Sequence, residues 1–228
     1  MIYLIPTHLG NPDPQLLPIQ LKTTLENCEV LFAEHLKTAR HFLKAIGVEK
    51  KIDDFEWHEL NKDTQDAVVR QYLQLATTKV CGVLSEAGVP IIADPGAALV
   101  KLAQQKNIRV VPLTGPSSIL MALMASGMNG QSFCFTGYLP IERMERVKKI
   151  KQLEATARKE NQTQLFIETP YRNNQLLQDL LQNCAADTLI GVAVDITLAT
   201  ESIRTMTVQD WKKQIPELHK RPAVFLIG

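Results

Sequence analysis

Short apolar blocks alternate with turn-rich or amphipathic stretches through the first half of the chain. Residues 2–5, Ile-Tyr-Leu-Ile, stop at Pro6, which predicts a short buried strand. Leu17, Leu21 and Leu25 repeat every four residues and predict a helix over 16–28. Apolar blocks at 29–33, 55–60, 80–84 and 108–111 predict four further strands. Helical spacing covers 37–46, with Gly47 placed to end it, then 64–76, with Ala67, Tyr72, Leu73 and Leu75 offered to a core, and then 97–103. Strands alternating with helices predict βαβ units and a mainly parallel sheet with helices on both faces.

The second half reads differently. Strands are predicted at 132–136, 164–168, 189–194, 202–205 and 223–227, and helices at 117–126, 142–159 and 208–214. Without a matching helix between each pair of the last strands to carry parallel crossovers, part of this sheet should be antiparallel. The expectation is two α/β domains, residues 1–115 and 116–228, the second with a mixed sheet. Met121, Met124 and Met128 read as packing, as does one face of the alternating Phe133 and Phe135.

At 228 residues the chain can bury a sizeable core. Its net charge of +1 gives no global pull toward nucleic acid or membrane. Cys28, Cys81, Cys134 and Cys184 are widely spaced, with no C-x-x-C pair, so neither a zinc site nor a disulfide scaffold is expected. No apolar run approaches the ~18 residues of a membrane span, and a strand-like run follows Met1 where a leader would carry charge. A cytoplasmic protein without a membrane partner is expected.

In an open parallel sheet, ligands bind beyond the carboxyl ends of the strands. Three glycine-bearing loops fall there: "THLGNPDP", "SEAGVPIIADPG" and "LTGPSS". None has the spacing of a phosphate cradle. They suit a cofactor held by main-chain groups, since glycine lets backbone approach a ligand closely. Simple turn chemistry competes with this reading: Asp94 as N-cap with Pro95 at N1 would start a helix, and Thr114-Gly115-Pro116 would do the same. It leaves Ser85-Glu86-Ala87-Gly88 unexplained.

These loops carry a resemblance. Thr7-His8-Leu9-Gly10-Asn11-Pro12-Asp13 resembles T-P-I-G-N-L-x-D, and Ser85–Gly96 resembles S-D-A-G-T-P-L-I-S-D-P-G. Pro112–Pro116 is similar to P-L-P-G-P, Gly137–Pro140 to G-F-L-P, and Phe166–Arg172 to F-Y-E-S-P-H-R. Trp57-His58-Glu59-Leu60-Asn61 partly keeps Y-H-E-H-N. The chain thus resembles, over nearly its whole length, the tetrapyrrole methylase superfamily of S-adenosylmethionine-dependent methyltransferases. Within it the 16S ribosomal RNA (cytidine-2′-O)-methyltransferase family is nearest.

The resemblance implies S-adenosyl-L-methionine in a cleft between two domains, no metal, a homodimer, and RNA of the small ribosomal subunit as partner rather than DNA. It implies cofactor contacts at Leu9, Gly10, Ser85, Glu86, Ala87, Gly88, Pro90, Ile91, Leu113, Thr114, Gly115, Ser117, Ser118, Tyr138, Phe166 and Ile167. Arg40, Asn61, Lys148, Lys149 and Arg172 are the candidates for RNA. The charged helix after Pro140, with Arg143, Arg146 and Lys151 as well, is either an RNA wall or a solvated face.

Methyl transfer to a hydroxyl calls for in-line placement and a base. Glu34, His58 and Glu168 are the catalytic candidates, with His35, Glu86, Asp94 and Glu201 also in position. An ion pair between Glu34 and Arg40 competes with a catalytic role for Glu34. The likeness departs at Glu34-His35-Leu36-Lys37, where the family has E-D-T-R, and at Val194–Leu198, where R-E-L-T-K loses both basic residues. Two alternatives therefore stand beside RNA methylation: methylation of a tetrapyrrole or other small molecule, and a cofactor-binding protein that no longer transfers methyl.

Overall fold

β1 (Ile2–Ile5), β2 (Val30–Ala33), β3 (Glu56–Glu59), β4 (Cys81–Leu84) and β5 (Val110–Pro112) form one sheet in the order β3-β2-β4-β1-β5. Every pairing in it is parallel. The computed structural model describes residues 1–228 and divides into two units, Met1–Ser117 and Ser118–Gly228. β2 and β4 are buried at every position, which is why Val-Leu-Phe-Ala and Cys-Gly-Val-Leu read as unbroken apolar blocks.

Helices cover both faces of this first sheet. α1 (Leu21–Glu26) and α2 (Leu36–Ala45) supply Leu21, Leu25, Ala39, Phe42 and Leu43 to one core. α3 (Asp66–Thr78) and α4 (Ala97–Gln105) supply Val69, Leu73, Leu99 and Ala103 to the other. α1 is shorter than the leucine spacing predicts. Pro18 breaks the run, so Pro14–Leu16 makes a separate 3-10 turn.

In the second unit β6 (Phe133–Tyr138), β7 (Thr163–Ile167), β8 (Leu189–Val194), β9 (Ser202–Thr207) and β10 (Ala223–Ile227) lie in the order β6-β7-β10-β8-β9. β6 and β7 are parallel and the other pairs antiparallel, so the sheet is mixed as expected. Its helices are α5 (Ser118–Ser126), α6 (Arg143–Glu160), α7 (Asn173–Asn183) and α8 (Val208–Trp211). α7 has no counterpart in the sequence reading. Its buried face carries Asn173 and Asp179 beside Leu176, Leu177, Leu180 and Leu181, and these polar residues hide the apolar period. No helix of the chain is long and apolar enough to cross a membrane.

Candidate functional site

Because β4, β1 and β5 are neighbours in a parallel sheet, the three glycine-bearing loops emerge side by side at its carboxyl edge. They are joined directly. Thr7 N–H donates to Gly88 O at 2.9 Å, Gly88 N–H to His8 O at 3.4 Å, and Val89 N–H to Pro116 O at 3.0 Å. The buried Thr7 and Ser85 hydroxyls meet at 3.2 Å, and Ser85 also donates to Gly88 O. Gly88 has φ +71°, and a Cβ on it would sit 2.7 Å from both Leu9 Cδ2 and Pro116 O. A Cβ on Gly115 would sit 2.3 Å from Pro6 Cβ. Both glycines thus let neighbouring loops approach one another closely.

This divides the predicted contact residues by role. Ser85, Gly88 and Pro90 are buried and build the loop, and Leu9 packs on Gly88. Ala87, Thr114 and Gly115 are exposed, and Glu86, Gly10, Leu113 and Ser118 are half-exposed, while Ser117 is buried. The amides of Glu86, Ala87, Thr114 and Gly115 donate to nothing within the chain. Such main-chain donors, gathered at one sheet edge and open to solvent, suit a ligand rich in acceptors.

The rest of the loop is strained. Ile91 and Ala93 hold φ of 75° and 58°, and the Ile91 side chain packs into the core on the α3–α4 side. A β-branched residue at positive φ costs roughly 1–3 kcal/mol, so the surrounding contacts must enforce it. Asp94 does not cap α4, contrary to the expectation: Gly96, at φ 111°, occupies the N-cap and Pro95 lies outside the helix.

Burial, with the carboxylates of Glu34 and Glu86 nearby, pushes the Asp94 carboxyl up to about 6. A carboxyl raised above its unfolded value favours the acid form in the folded chain. Its destabilising contribution is absent at pH 3–4, grows as the pH rises toward 6, and is complete above that. Asp94→Asn should therefore stabilise the protein at pH 8 by on the order of 1 kcal/mol, a value reduced for solvent screening. Thermal denaturation at pH 4 and pH 8 checks this: a gain at pH 8 should disappear at pH 4.

The other charged candidates of the first unit sort by contact. Arg40 does not pair with Glu34; its guanidinium lies over the Trp57 ring, 5.4 Å from the centroid. Glu34 directly follows β2 and is half-exposed. Glu86 Oε1 accepts the His35 amide at 3.1 Å and lies 3.4 Å from His35 Nδ1. His58 Nε2 bonds Glu56 at 2.8 Å, while its ring packs on Phe32 and Tyr72. Asn61 Oδ1 accepts from Asp63 N and Thr64 Oγ1, which turns the chain toward α3. His58 and Asn61 thus both have hydrogen-bond partners within the chain.

In the second unit Tyr138 ends β6 and is 56% exposed, and Ile167 ends β7 partly buried. The Phe166 ring is fully buried against Phe225, so only its backbone could meet a ligand. Glu168 is buried and bonded to Arg172 at 2.5 Å, while one Arg172 nitrogen, Nε, is buried without a partner. Glu201 accepts the Thr197 amide at 2.7 Å. Arg146 is not an RNA ligand, because it is buried on Asp179, and Arg143 reaches the same carboxylate at 3.2 Å. Lys148 and Lys151 are exposed, and Lys149 reaches only Gln152 at 3.5 Å. Val194, where the family motif has a basic residue, is a core residue of β8. Burial pushes the Cys28 and Cys184 thiols up to about 12 and that of Cys81 to about 11, which leaves them inert.

One feature of the first unit lies outside the residues read from sequence. A cavity of about 190 Å³ opens where α2 meets the loops after β1 and β4. Thr38, His41 and Ala45 were hidden in an ordinary amphipathic period, and no spacing signal marks them.

The family model described as "Tetrapyrrole (Corrin/Porphyrin) Methylases" matches residues 1–212. A "Ribosomal RNA small subunit methyltransferase I" of Buchnera aphidicola subsp. Schizaphis graminum is 28% identical over 241 residues, covering 100% of this chain and 77% of its own length. A protein of the same name from Vibrio cholerae is 28% identical over 210 residues, covering 92% of this chain and 69% of its own length. Among solved structures, the methyltransferase CobJ superposes with a TM-score of 0.65 at 17% identity, over 100% of this chain and 93% of its own. Uroporphyrin-III-C-methyltransferase from Thermus thermophilus does so with a TM-score of 0.56 at 19% identity, over 100% and 91%. At these identities the structural likeness speaks for the fold.

Proposed function

The chain belongs to the tetrapyrrole methylase family, and from that premise we propose that it methylates a ribose 2′-hydroxyl of small-subunit ribosomal RNA, with S-adenosylmethionine as methyl donor. The observation that carries the choice of RNA is that relatives spanning this chain end to end are named for the small ribosomal subunit. The open amides of Glu86, Ala87, Thr114 and Gly115 fit the donor, whose carboxylate and adenine offer acceptors to them. When bound, it supplies a methyl group already activated on sulfonium.

The chain's own task is then to place the acceptor oxygen and take its proton. His58 and Glu168 are committed to structural partners, which leaves the carboxylates at the sheet edge. Asp94, held near 6 by burial beside Glu34 and Glu86, has the proton affinity that a base working near neutral pH needs.

Incubation with labelled S-adenosylmethionine and small ribosomal subunits lacking their 2′-O-methyl groups tests the reading. Label should enter ribosomal RNA and protect the adjacent phosphodiester from alkali. Label entering a tetrapyrrole precursor instead would overturn it. Reversing the exposed Lys148 together with Lys149 to glutamate should lower RNA methylation about three- to tenfold at low salt, with the deficit shrinking as salt rises. Activity measured across a salt series checks that α6 lies along the RNA path.

A further inference from the structure

We propose that the outer face of α2 is a docking surface for the phosphate backbone of the acceptor RNA, an assignment that rests on the ribosomal RNA reading above. Between Glu34 and Glu49 the chain has no acidic residue, while Lys37, Arg40 and Lys44 place three fixed positive charges on α2. All three side chains are exposed. The concentration is local, since the whole chain carries a net charge of only +1.

Folding alone does not call for this arrangement. Lys37 and Arg40 are three residues apart and Arg40 and Lys44 four, so like charges are neighbours on one side of the helix. Neighbours of like sign destabilise a helix, and Lys37 in the first turn also opposes the helix dipole. On α6 the signs are mixed and the cations find partners: Arg143 and Arg146 meet Asp179, and Arg158 meets Asp187. Lys37, Arg40 and Lys44 have neither an ion pair nor a side-chain hydrogen bond within the chain. Three unpaired cations held together against their own repulsion suit a polyanion.

Arg40 is pre-oriented for one. Its guanidinium lies over the Trp57 ring at 5.4 Å, and Trp57 is itself fixed by its indole N–H, which donates to Ile52 O at 2.8 Å. Stacking leaves the N–H groups at the rim of the guanidinium free for phosphate oxygens. From Lys37 to Lys44 is about 10 Å along the helix axis, which at roughly 3.4 Å of strand per phosphate faces about three phosphates. A lipid surface is the poorer match, because α2 exposes no large apolar side chain to enter it.

Position ties this face to the methyl donor. α2 starts just beyond β2, at the same sheet edge as the glycine-bearing loops. The His35 amide, at the head of α2, donates to Glu86 in the loop after β4 at 3.1 Å. RNA laid along α2 therefore has its Lys37 end beside the open amides of Glu86 and Ala87.

The test uses the full chain with Lys37→Gln and Lys44→Gln combined. A charge-keeping pair, Lys37→Arg with Lys44→Arg, stands beside it. So does a control that removes two exposed charges at α4 on the other face of the sheet, Lys101→Gln with Lys106→Gln. KM and kcat are measured on undermethylated small subunits, and affinity for a single-stranded oligoribonucleotide is measured across a salt series. The Gln pair should raise KM about tenfold at low salt, with kcat and S-adenosylhomocysteine affinity within about twofold. Its plot of log affinity against log salt should flatten by about 1.4, at about 0.7 per phosphate contact. Its thermal midpoint should hold or rise, because repulsion within α2 is relieved. The Arg pair and the α4 control should stay within about twofold of the parent. A folded Gln pair with the parent's KM and salt slope would overturn the assignment. So would a thermal midpoint that falls along with activity, or an α4 control that loses as much. Binding to anionic phosphatidylserine vesicles that the Gln pair loses while keeping its RNA affinity would give the face to a membrane instead. A parent that binds the oligoribonucleotide but labels no ribosomal RNA would overturn the methylation reading on which the assignment rests, a failure distinct from an unchanged salt slope.

Discussion

Asp179→Ala is expected to destabilise the second unit by about 3–5 kcal/mol, enough to leave a marginally stable domain largely unfolded at 37 °C. Asp179 is fully buried on α7 and accepts Arg146 Nε at 2.9 Å and Nη2 at 2.7 Å. Arg146 is only 5% exposed and also donates to the carbonyls of Pro140 and Ile141. Removing the carboxylate leaves a desolvated guanidinium without its counter-charge, a far larger penalty than the pair's net worth. Replacing both members at once, Asp179→Leu with Arg146→Met, should recover most of the loss. The two tryptophans report separately, Trp57 in the first unit and Trp211 in the second. Urea unfolding of single-tryptophan versions should show an early transition at Trp211 and an unchanged one at Trp57. An Asp179→Ala protein within about 1 kcal/mol of the parent would show that the pair is dispensable.

Gly88→Val should weaken S-adenosylhomocysteine binding at least about 30-fold, about 2 kcal/mol. Valine is poorly suited to the φ of +71° at this position, and its Cβ would overlap Leu9 from the first loop and the Pro116 carbonyl from the third. Relief of that overlap pushes apart the very loops whose amides are proposed to hold the donor. Gly47→Val is the matched control, with φ +72° but nothing within 4 Å of the added carbon. Its backbone strain is similar, without the crowding. Calorimetry on folded variants decides the matter: equal affinities for parent and Gly88→Val would detach this clasp from donor binding.

The parallel half of the fold is legible because its strands are short, because the central β2 and β4 are buried on both faces, and because glycine and proline punctuate the loops. The candidate loops stand out for the same reason, since turn residues mark where chain direction changes. What each residue does there is not. Ser85 and Pro90 serve the loop itself, and Asp94 stands away from the cap that its Asp-Pro-Gly context suggests. Charge misleads most on α6 and α7. A periodicity argument puts Arg146 on a solvated face and passes over a helix whose core side includes Asp179, because the two charges satisfy each other only in three dimensions. The α2 cavity is invisible for a related reason: Glu86 is distant in sequence from Phe42, and no local pattern records that they line one space.

The position of β1 bears on how the chain is made. It lies between β4 and β5, with Ile2 in register with Cys81 on one side and Val110 on the other. A ribosome delivers this strand well before its partners, which follow only after most of the first unit has been translated. At roughly 5–20 residues per second, an apolar strand without hydrogen-bonding neighbours waits about 4–15 s before β4 exists to receive it. The Thr7–Ser85 contact, spanning 78 residues, can close only after that. β1 is thus the segment of this unit most in need of a chaperone, and the loops proposed to hold the methyl donor should be among the last parts of the unit to order during synthesis.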